Sequence, residues 1–356
     1  MWKLQNYKTT KKRNKRMTKK YNVAVVGATG AVGEVMLSIL KERKFPIDKI
    51  YALASSRSIH KTVQFGSRTL KVEDLAEFDF STVDIALFSA GGSISEKYAP
   101  IAGKTGCIVI DNTSHFRRDD DIPLVVPEVN PEDLHNFKPR NIIANPNCST
   151  IQMLVALAPI HKAFEITRVN VATYQAVSGA GLSGIEELGK QTAALLAFQK
   201  AETNVFSQEI AFNVIPQIDT LQENGYTREE MKMVWETQKM LDKNIMVNPT
   251  CVRVPVFYGH SEAVHIETKK PISVEEVKQL LSKADGIEIV DDTANLEFPT
   301  PKSHCSGKDA VFVGRIRKDI SIKNGINLWV VSDNIRKGAA LNSVQIAEKM
   351  IKMQLI

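Results

Sequence analysis

A short apolar run, Asn22 to Val26, ends in Gly27, and the turn Gly27-Ala28-Thr29-Gly30-Ala31-Val32-Gly33 runs on into apolar residues at Val35, Met36, Ile39 and Leu40. Helical spacing directly after a strand-like run predicts strand, tight turn and helix over residues 22–40. Nothing else in the chain restricts its fold as much. A strand that feeds a helix through glycines opens a parallel α/β sheet, in which the backbone approaches a pyrophosphate and the helix N-terminus stabilises its charge. The spacing G-x-x-G-x-x-G departs from the commoner G-x-G-x-x-G, and glycines that serve only the turn are the alternative. Gly27, Thr29, Gly30, Ala31 and Val32 are therefore candidate cofactor contacts.

The second strand, Lys49 to Ala54, is expected to end where an adenine ribose would lie. An NAD site usually carries an acid there, but this chain continues Ser55-Ser56-Arg57-Ser58. Hydroxyls and a guanidinium suit a 2′-phosphate, so Ser56 and Arg57 point to NADP, against the plainer reading of Arg57 as a solvated loop charge. Runs at Val83–Phe88 and Cys107–Ile110 alternate with a helix expected over Ser95–Gly103, which continues the βαβ pattern.

A chain of 356 residues exceeds one ordinary domain, and 43% hydrophobic with 24% charged residues is a globular composition. The net charge of +6 raises the question of nucleic acid. Residues 1–20, however, hold nine Lys or Arg and no acid, so the rest of the chain carries a net −3. Three readings of that segment compete, in order of preference: a misassigned start upstream of Met17, a solvated basic arm, and a transit peptide. It is expected to be disordered, and no nucleic-acid partner is expected. No apolar run is long enough to span a bilayer, so no membrane association is expected either. Four scattered cysteines without a C-x-x-C pair indicate a reducing cytoplasm and no metal site.

One of those cysteines stands apart. A strand at Ile142–Ala144 runs into Asn145-Pro146-Asn147-Cys148-Ser149-Thr150 ahead of an apolar helix expected over Ile151–Ile160. A thiol at a helix entrance is favoured as the thiolate, the form that attacks carbonyl carbon. Cys107 and Cys251 lie in apolar strands, and Cys305 in a loop.

The segment Asn145 to Thr150 resembles the active-site motif of the aspartate-semialdehyde dehydrogenases. So do Asp111-Asn112-Thr113-Ser114-His115-Phe116-Arg117, Gln175-Ala176-Val177-Ser178-Gly179-Ala180-Gly181, and Arg253-Val254-Pro255-Val256 with Gly259-His260-Ser261. The resemblance runs from about Lys20 to the C-terminus. It implies NADPH-dependent reduction of β-aspartyl phosphate to aspartate 4-semialdehyde through a Cys148 thioester, in the synthesis of lysine or diaminopimelate, methionine, threonine and isoleucine. It also implies a homodimer.

The resemblance further implies a role for each matching residue. His260 exchanges protons with the sulfur; read alone, it is an ordinary turn histidine between two strands, aimed at a cleft. Arg253 binds the substrate carboxylate and Glu229 its amine, while Gln175 orients the acyl group and Asn147 helps hold the oxyanion. Arg117 and Lys232 bind phosphate, with Arg118 as the substitute for Arg117. Ser178, Gly179 and Asn334 contact cofactor. On spacing alone, Glu229 and Lys232 form a helical i, i+3 ion pair and Arg253 a strand arginine. His115 has no assigned role.

The fold expected is an α/β Rossmann-type dinucleotide-binding domain over 21–147, then an α+β catalytic and dimerisation domain with a mixed sheet over 148–335. The second is read from strand-like runs at Thr167–Val177, Cys251–Phe257, Ala263–Glu267, Ala310–Ile316 and Asn327–Val331. The resemblance implies that a C-terminal helix within 336–356 packs back on the first domain. An N-acetyl-glutamyl-phosphate reductase and a non-catalytic NADP-binding relative are the alternatives.

Overall fold

The structure, a computed structural model, describes residues 19–356, so the basic segment lies almost wholly outside the described residues. The glycine turn forms as expected: β1 (Tyr21–Val26) leads into α1 (Ala31–Glu42). Gly27 has φ +87°, and a Cβ there would come within 2.5 Å of the Ser89 carbonyl oxygen. At Gly33 a Cβ would fall 2.2 Å from the Gly27 carbonyl oxygen, so only glycine lets α1 seat on the turn.

The first domain continues with β2 (Ile47–Ala54), β3 (Thr62–Phe65), β4 (Arg68–Asp74), β5 (Ile85–Phe88), α2 (Gly92–Lys104), β6 (Ile108–Asp111) and β7 (Ile142–Ala144). Its sheet has the order β3-β4-β2-β1-β5-β6-β7, and every neighbouring pair is parallel except β3 with β4. Alternation along β1 feeds two layers. Val23 and Val25 pack in the cluster that holds Met36 and Leu40 of α1, whereas Ala24 and Val26 join Ala99 and Ala102 of α2.

Beyond β7 come α3 (Cys148–Phe164), β8 (Ile166–Gln175), α4 (Gly181–Leu196), α5 (Arg228–Met240), β9 (Met246–Arg253), β10 (His260–Thr268), α6 (Val274–Leu281), β11 (Ile287–Ile289), β12 (Val311–Lys318), β13 (Gly325–Ser332) and α7 (Leu341–Lys352). The second sheet has the order β11-β12-β13-β10-β8-β9 and is mixed: β8 with β9 and β11 with β12 are parallel, the rest antiparallel. The helix α7 returns to the first domain, where Leu341, Val344 and Ile346 share a core with Val23 and Leu40.

Several boundaries differ from expectation. The strand expected to reach Phe257 leaves the ladder after Arg253: Val254 still donates to the Gln175 carbonyl, but the Val256 amide turns back onto the Val254 carbonyl across Pro255. The helix α3 starts at Cys148 rather than Ile151, since the Asn147 side chain accepts from the Ser149 and Thr150 amides and draws the polar triplet into the first turn. Neither α4 nor α6 was expected, nor were β3, β4 and β11. Among the described residues no helix is long and apolar enough to cross a membrane.

The register of the second sheet places functional candidates side by side. Arg253 lies opposite Gln175, Ser261 opposite Tyr174, and His260 opposite Ser332. Arg253, Gln175, His260 and Ser332 thus form one transverse row across β9, β8, β10 and β13, and all four are buried.

Candidate active site

The mouth of α3 opens on a cavity of about 390 Å³ lined by both domains. It gathers Cys148, Asn147, Gln175, Arg253, Glu229, Lys232 and Arg117, together with Ser178, Gly179, Asn334 and Val32. These residues span some 300 positions of sequence. Cys148 is half-buried, while Cys107, Cys251 and Cys305 are buried, and all four are free thiols.

Burial pushes the Cys148 thiol up to about 12, and the Glu229 carboxylate adds to that push, against Arg117, Arg253 and Lys232. Desolvation thus outweighs the thiolate-favouring effect expected of the first-turn amides, and the resting group is the thiol. A proton acceptor is required. Gly338 walls the other side, where a Cβ would lie 2.7 Å from the Cys148 Cβ.

His260 lies on a strand rather than in the turn expected between two strands. It is the first residue of β10 and fully buried, and it lies behind Gly179, where a Cβ would fall 3.4 Å from the ring. The Ala176 amide donates to its Nδ1 at 3.0 Å, so the neutral ring carries its proton on Nε2, an atom with no partner among the described residues. Burial, and then the Arg253 charge, lower its pKa to about 3.

One helix face supplies the acid and a cation. Glu229 accepts from Asn147 Nδ2 at 2.8 Å, from Lys232 Nζ at 2.9 Å and from Gln175 Nε2 at 3.3 Å. Burial would raise its pKa, but Lys232, Asn147 and Arg253 hold it at about 2, so it stays ionised. Lys232 also pairs with Asp219 at 2.8 Å. Arg253 donates to the Ala176 carbonyl at 2.7 Å. The Asn147 amide thus both caps α3 and binds Glu229.

Arg117 reaches the cavity because Asp111, at the end of β6, ties its loop through Ser95 Oγ at 2.7 Å and Thr113 Oγ1 at 2.8 Å. Arg118 instead stacks on Trp235 at 4.1 Å and lines no part of the cavity. His115 is exposed, its ring edge-on to Phe116. Glu236, which the sequence reading passed over, is buried and bonds both Arg117 and the Asn147 amide. Its one sequence signal is its position two helical turns from Glu229.

A second cavity, about 480 Å³, is lined by Gly27, Thr29, Gly30, Ser56 and Arg57, with Asp74 also in its wall. No side chain caps α1 at Gly30, so its first amides are free to face a phosphate. Ala31 lines neither cavity. Ser178 Oγ and the Gly259 amide both donate to Asn334 Oδ1, which ties the C-terminal segment to the cleft.

A dinucleotide fold joined to a mixed sheet, with a thiol at their cleft, defines a dehydrogenase of the thiol-using class. Residues 22–137 match the semialdehyde dehydrogenase NAD binding domain, and residues 157–337 the semialdehyde dehydrogenase dimerisation domain. The chain is 63% identical to aspartate-semialdehyde dehydrogenase 2 of Vibrio cholerae over 94% of this chain and 99% of that one. It is 53% identical to the Aquifex aeolicus aspartate-semialdehyde dehydrogenase, again over 94% and 99%. A crystal structure of the Vibrio cholerae enzyme complexed with ASA superposes with a TM-score of 0.92 over the same shares. The chain belongs to the aspartate-semialdehyde dehydrogenase family.

Proposed function

We propose that this enzyme reduces β-aspartyl phosphate to L-aspartate 4-semialdehyde and phosphate, reversibly, through a thioester on Cys148. One observation carries the reading: a single cavity holds the thiol, a carboxylate with an arginine suited to an amino acid's two charged groups, and two further cations suited to phosphate. Cys148 attacks the acyl carbon, and phosphate leaves toward Arg117 and Lys232. Arg253 takes the α-carboxylate in a bidentate pair, and Glu229 the α-ammonium. Gln175 and Asn147 each keep amide donors near the acyl oxygen.

We assign the proton exchange to His260; because its resting neutral ring holds its proton on Nε2, uptake of the thiol proton requires Nδ1 to release the Ala176 amide. In the free enzyme burial, and after it the Arg253 charge, suppresses its basicity. A substrate carboxylate on Arg253 offsets that charge, which raises the imidazole pKa as the thiol arrives at its reacting position. Expulsion of the Cys148 thiolate from the reduced centre frees the aldehyde.

The second cavity fits a nicotinamide dinucleotide, since the glycine turn that lines it leads into the first turn of α1, which no side chain caps. Gly27, Thr29 and Gly30 would hold its pyrophosphate, Ser56 and Arg57 a 2′-phosphate, and Val32, Ser178, Gly179 and Asn334 the end nearer Cys148. When bound, the cofactor supplies the hydride. NADP is the form we assign, on the guanidinium and hydroxyls at the tip of β2, although Asp74 lies in the same wall. A solved relative 26% identical, from Candida albicans, holds NADP.

The enzyme is assigned as a homodimer of the reducing cytoplasm. Exposed Leu196, Phe198, Phe212 and Leu221 on the second domain support the first, and four unpaired thiols the second. The test is phosphate-dependent oxidation of aspartate semialdehyde. NADP should exceed NAD in kcat/KM by about tenfold or more, the equivalent of one charge-assisted hydrogen bond. Cys148→Ala should abolish turnover and spare NADPH binding. Faster oxidation of N-acetyl-glutamate semialdehyde, or an active Cys148→Ala variant, overturns the assignment.

A further inference from the structure

Two carboxylates on α5, Glu229 and Glu236, stand seven residues apart on one face. The chemistry above uses only the first. Glu236 is 2% exposed. Its Oε1 accepts from Arg117 Nη1 at 3.1 Å, and its Oε2 accepts from the backbone amide of Asn147 at 2.6 Å. Asn147 precedes the nucleophile and caps its helix. A carboxylate is costly to bury unless both oxygens are bound, and here the two partners belong to two different parts of the site.

Arg117 is tied from the same side. Its Nε donates to the Asn145 carbonyl at 2.9 Å and its Nη2 to the Asn112 carbonyl at 3.0 Å. An arginine has five N–H donors, so one remains on each terminal nitrogen for an incoming oxyanion. Two links therefore join the guanidinium to the Asn145–Asn147 segment, one direct and one through Glu236. The two links span the phosphate cation and the segment that carries the thiol, and Glu236 supplies one of them.

We propose that Glu236 is a positioning residue, which fixes the phosphate-binding arginine and the Cys148 segment relative to each other so that the leaving group and the nucleophile stay in line. This deepens the functional reading and rests on its assignment of Arg117 to phosphate. An ion pair that served stability alone would disturb both substrates alike. A carboxylate that couples Arg117 to Cys148 leaves the aldehyde's own anchors in place, since Arg253 is held by the Ala176 carbonyl and Glu229 by Lys232 as well as by Asn147.

The substitution Glu236→Gln keeps the shape but offers one acceptor oxygen where the carboxylate offers two, so its NH2 must face either the guanidinium or the amide, donor against donor. In phosphate-dependent oxidation of aspartate semialdehyde, it should raise KM for phosphate about tenfold and lower kcat about tenfold, with KM for the aldehyde within about twofold. Combined with Arg117→Ala, its effect on phosphate KM should be less than additive. Unchanged NADPH binding shows that the variant is folded; if that binding is lost, Glu236→Asp is judged by the same criteria. A phosphate KM at the wild-type value, equal rises in both KM values, or full additivity with Arg117→Ala overturns the inference. An inactive wild-type enzyme would instead overturn the functional reading.

Discussion

Gly338 sets the tolerance of the nucleophile's position. A Cβ at 338 would lie 2.7 Å from the Cys148 Cβ and 3.2 Å from its Cα, closer than packed carbons approach, so one of the two segments would have to shift. Because a displacement of about 1 Å can cost about a hundredfold in rate, Gly338→Ala should lower kcat on that order while NADPH binding persists; wild-type kcat in the variant would show that the cleft yields there. Cys148 itself was legible in the sequence, because a polar Asn-Pro-Asn approach to an apolar helix is a local pattern. Its resting protonation was not, since that depends on burial and on charges from α5, β9 and the loop after β6. Glu236 was hidden for the same reason. A glutamate on an amphipathic helix reads as a solvent-facing residue, and its partner Arg117 lies 119 positions away.

Along β10 a second buried acid follows the first row of site residues. Glu262 lies opposite Thr173 and Val330, one pleat inward from His260, and neither of its oxygens has a partner among the described residues. Burial pushes its pKa well above the ordinary carboxyl range, so the folded protein holds it neutral. Glu262→Gln, which mimics the neutral acid, should match wild-type stability near pH 4. Above the unfolded glutamate value of about 4.3 only the unfolded wild-type chain ionises, so the wild type loses about 1.4 kcal/mol per pH unit up to the folded pKa, and the variant does not. Urea unfolding at pH 4.5 and 7.5 measures this, and a stability gap that fails to widen with pH would refute the neutral form. Elements with strong periodicity, such as α1 and β8, were legible because one face of each is continuously apolar, and β1 because both of its faces are. The eight-residue helix α6, despite its Ser273–Glu276 capping box, and the strands β3 and β11, of four and three residues, were not, since so few residues carry too little periodicity.

The molecule closes on itself through α7, which leaves the second sheet and completes the core of the first. The stretch before α7 carries Asn334, Gly338 and Ala339 to the cavity wall, so the active cleft is built where the two domains are stitched together. The order of domains was legible from the change in strand spacing near Thr167; the return of the chain was implied only by family resemblance. The apolar side chains left exposed on the second domain lead to one prediction at this scale: sedimentation equilibrium should give twice the 39.6 kDa chain mass, and a single-chain mass at micromolar concentration would exclude the homodimer. The row of Arg253, Gln175 and His260 has a further consequence. Neighbouring strands are about 4.8 Å apart, and main-chain hydrogen bonds set that interval. The site is therefore graduated like a ruler whose marks no side-chain substitution can move. A substrate longer by one methylene meets the same marks with its carbonyl out of register, so a change of substrate on this scaffold would have to be made in α5 and the loops around it rather than in the sheet.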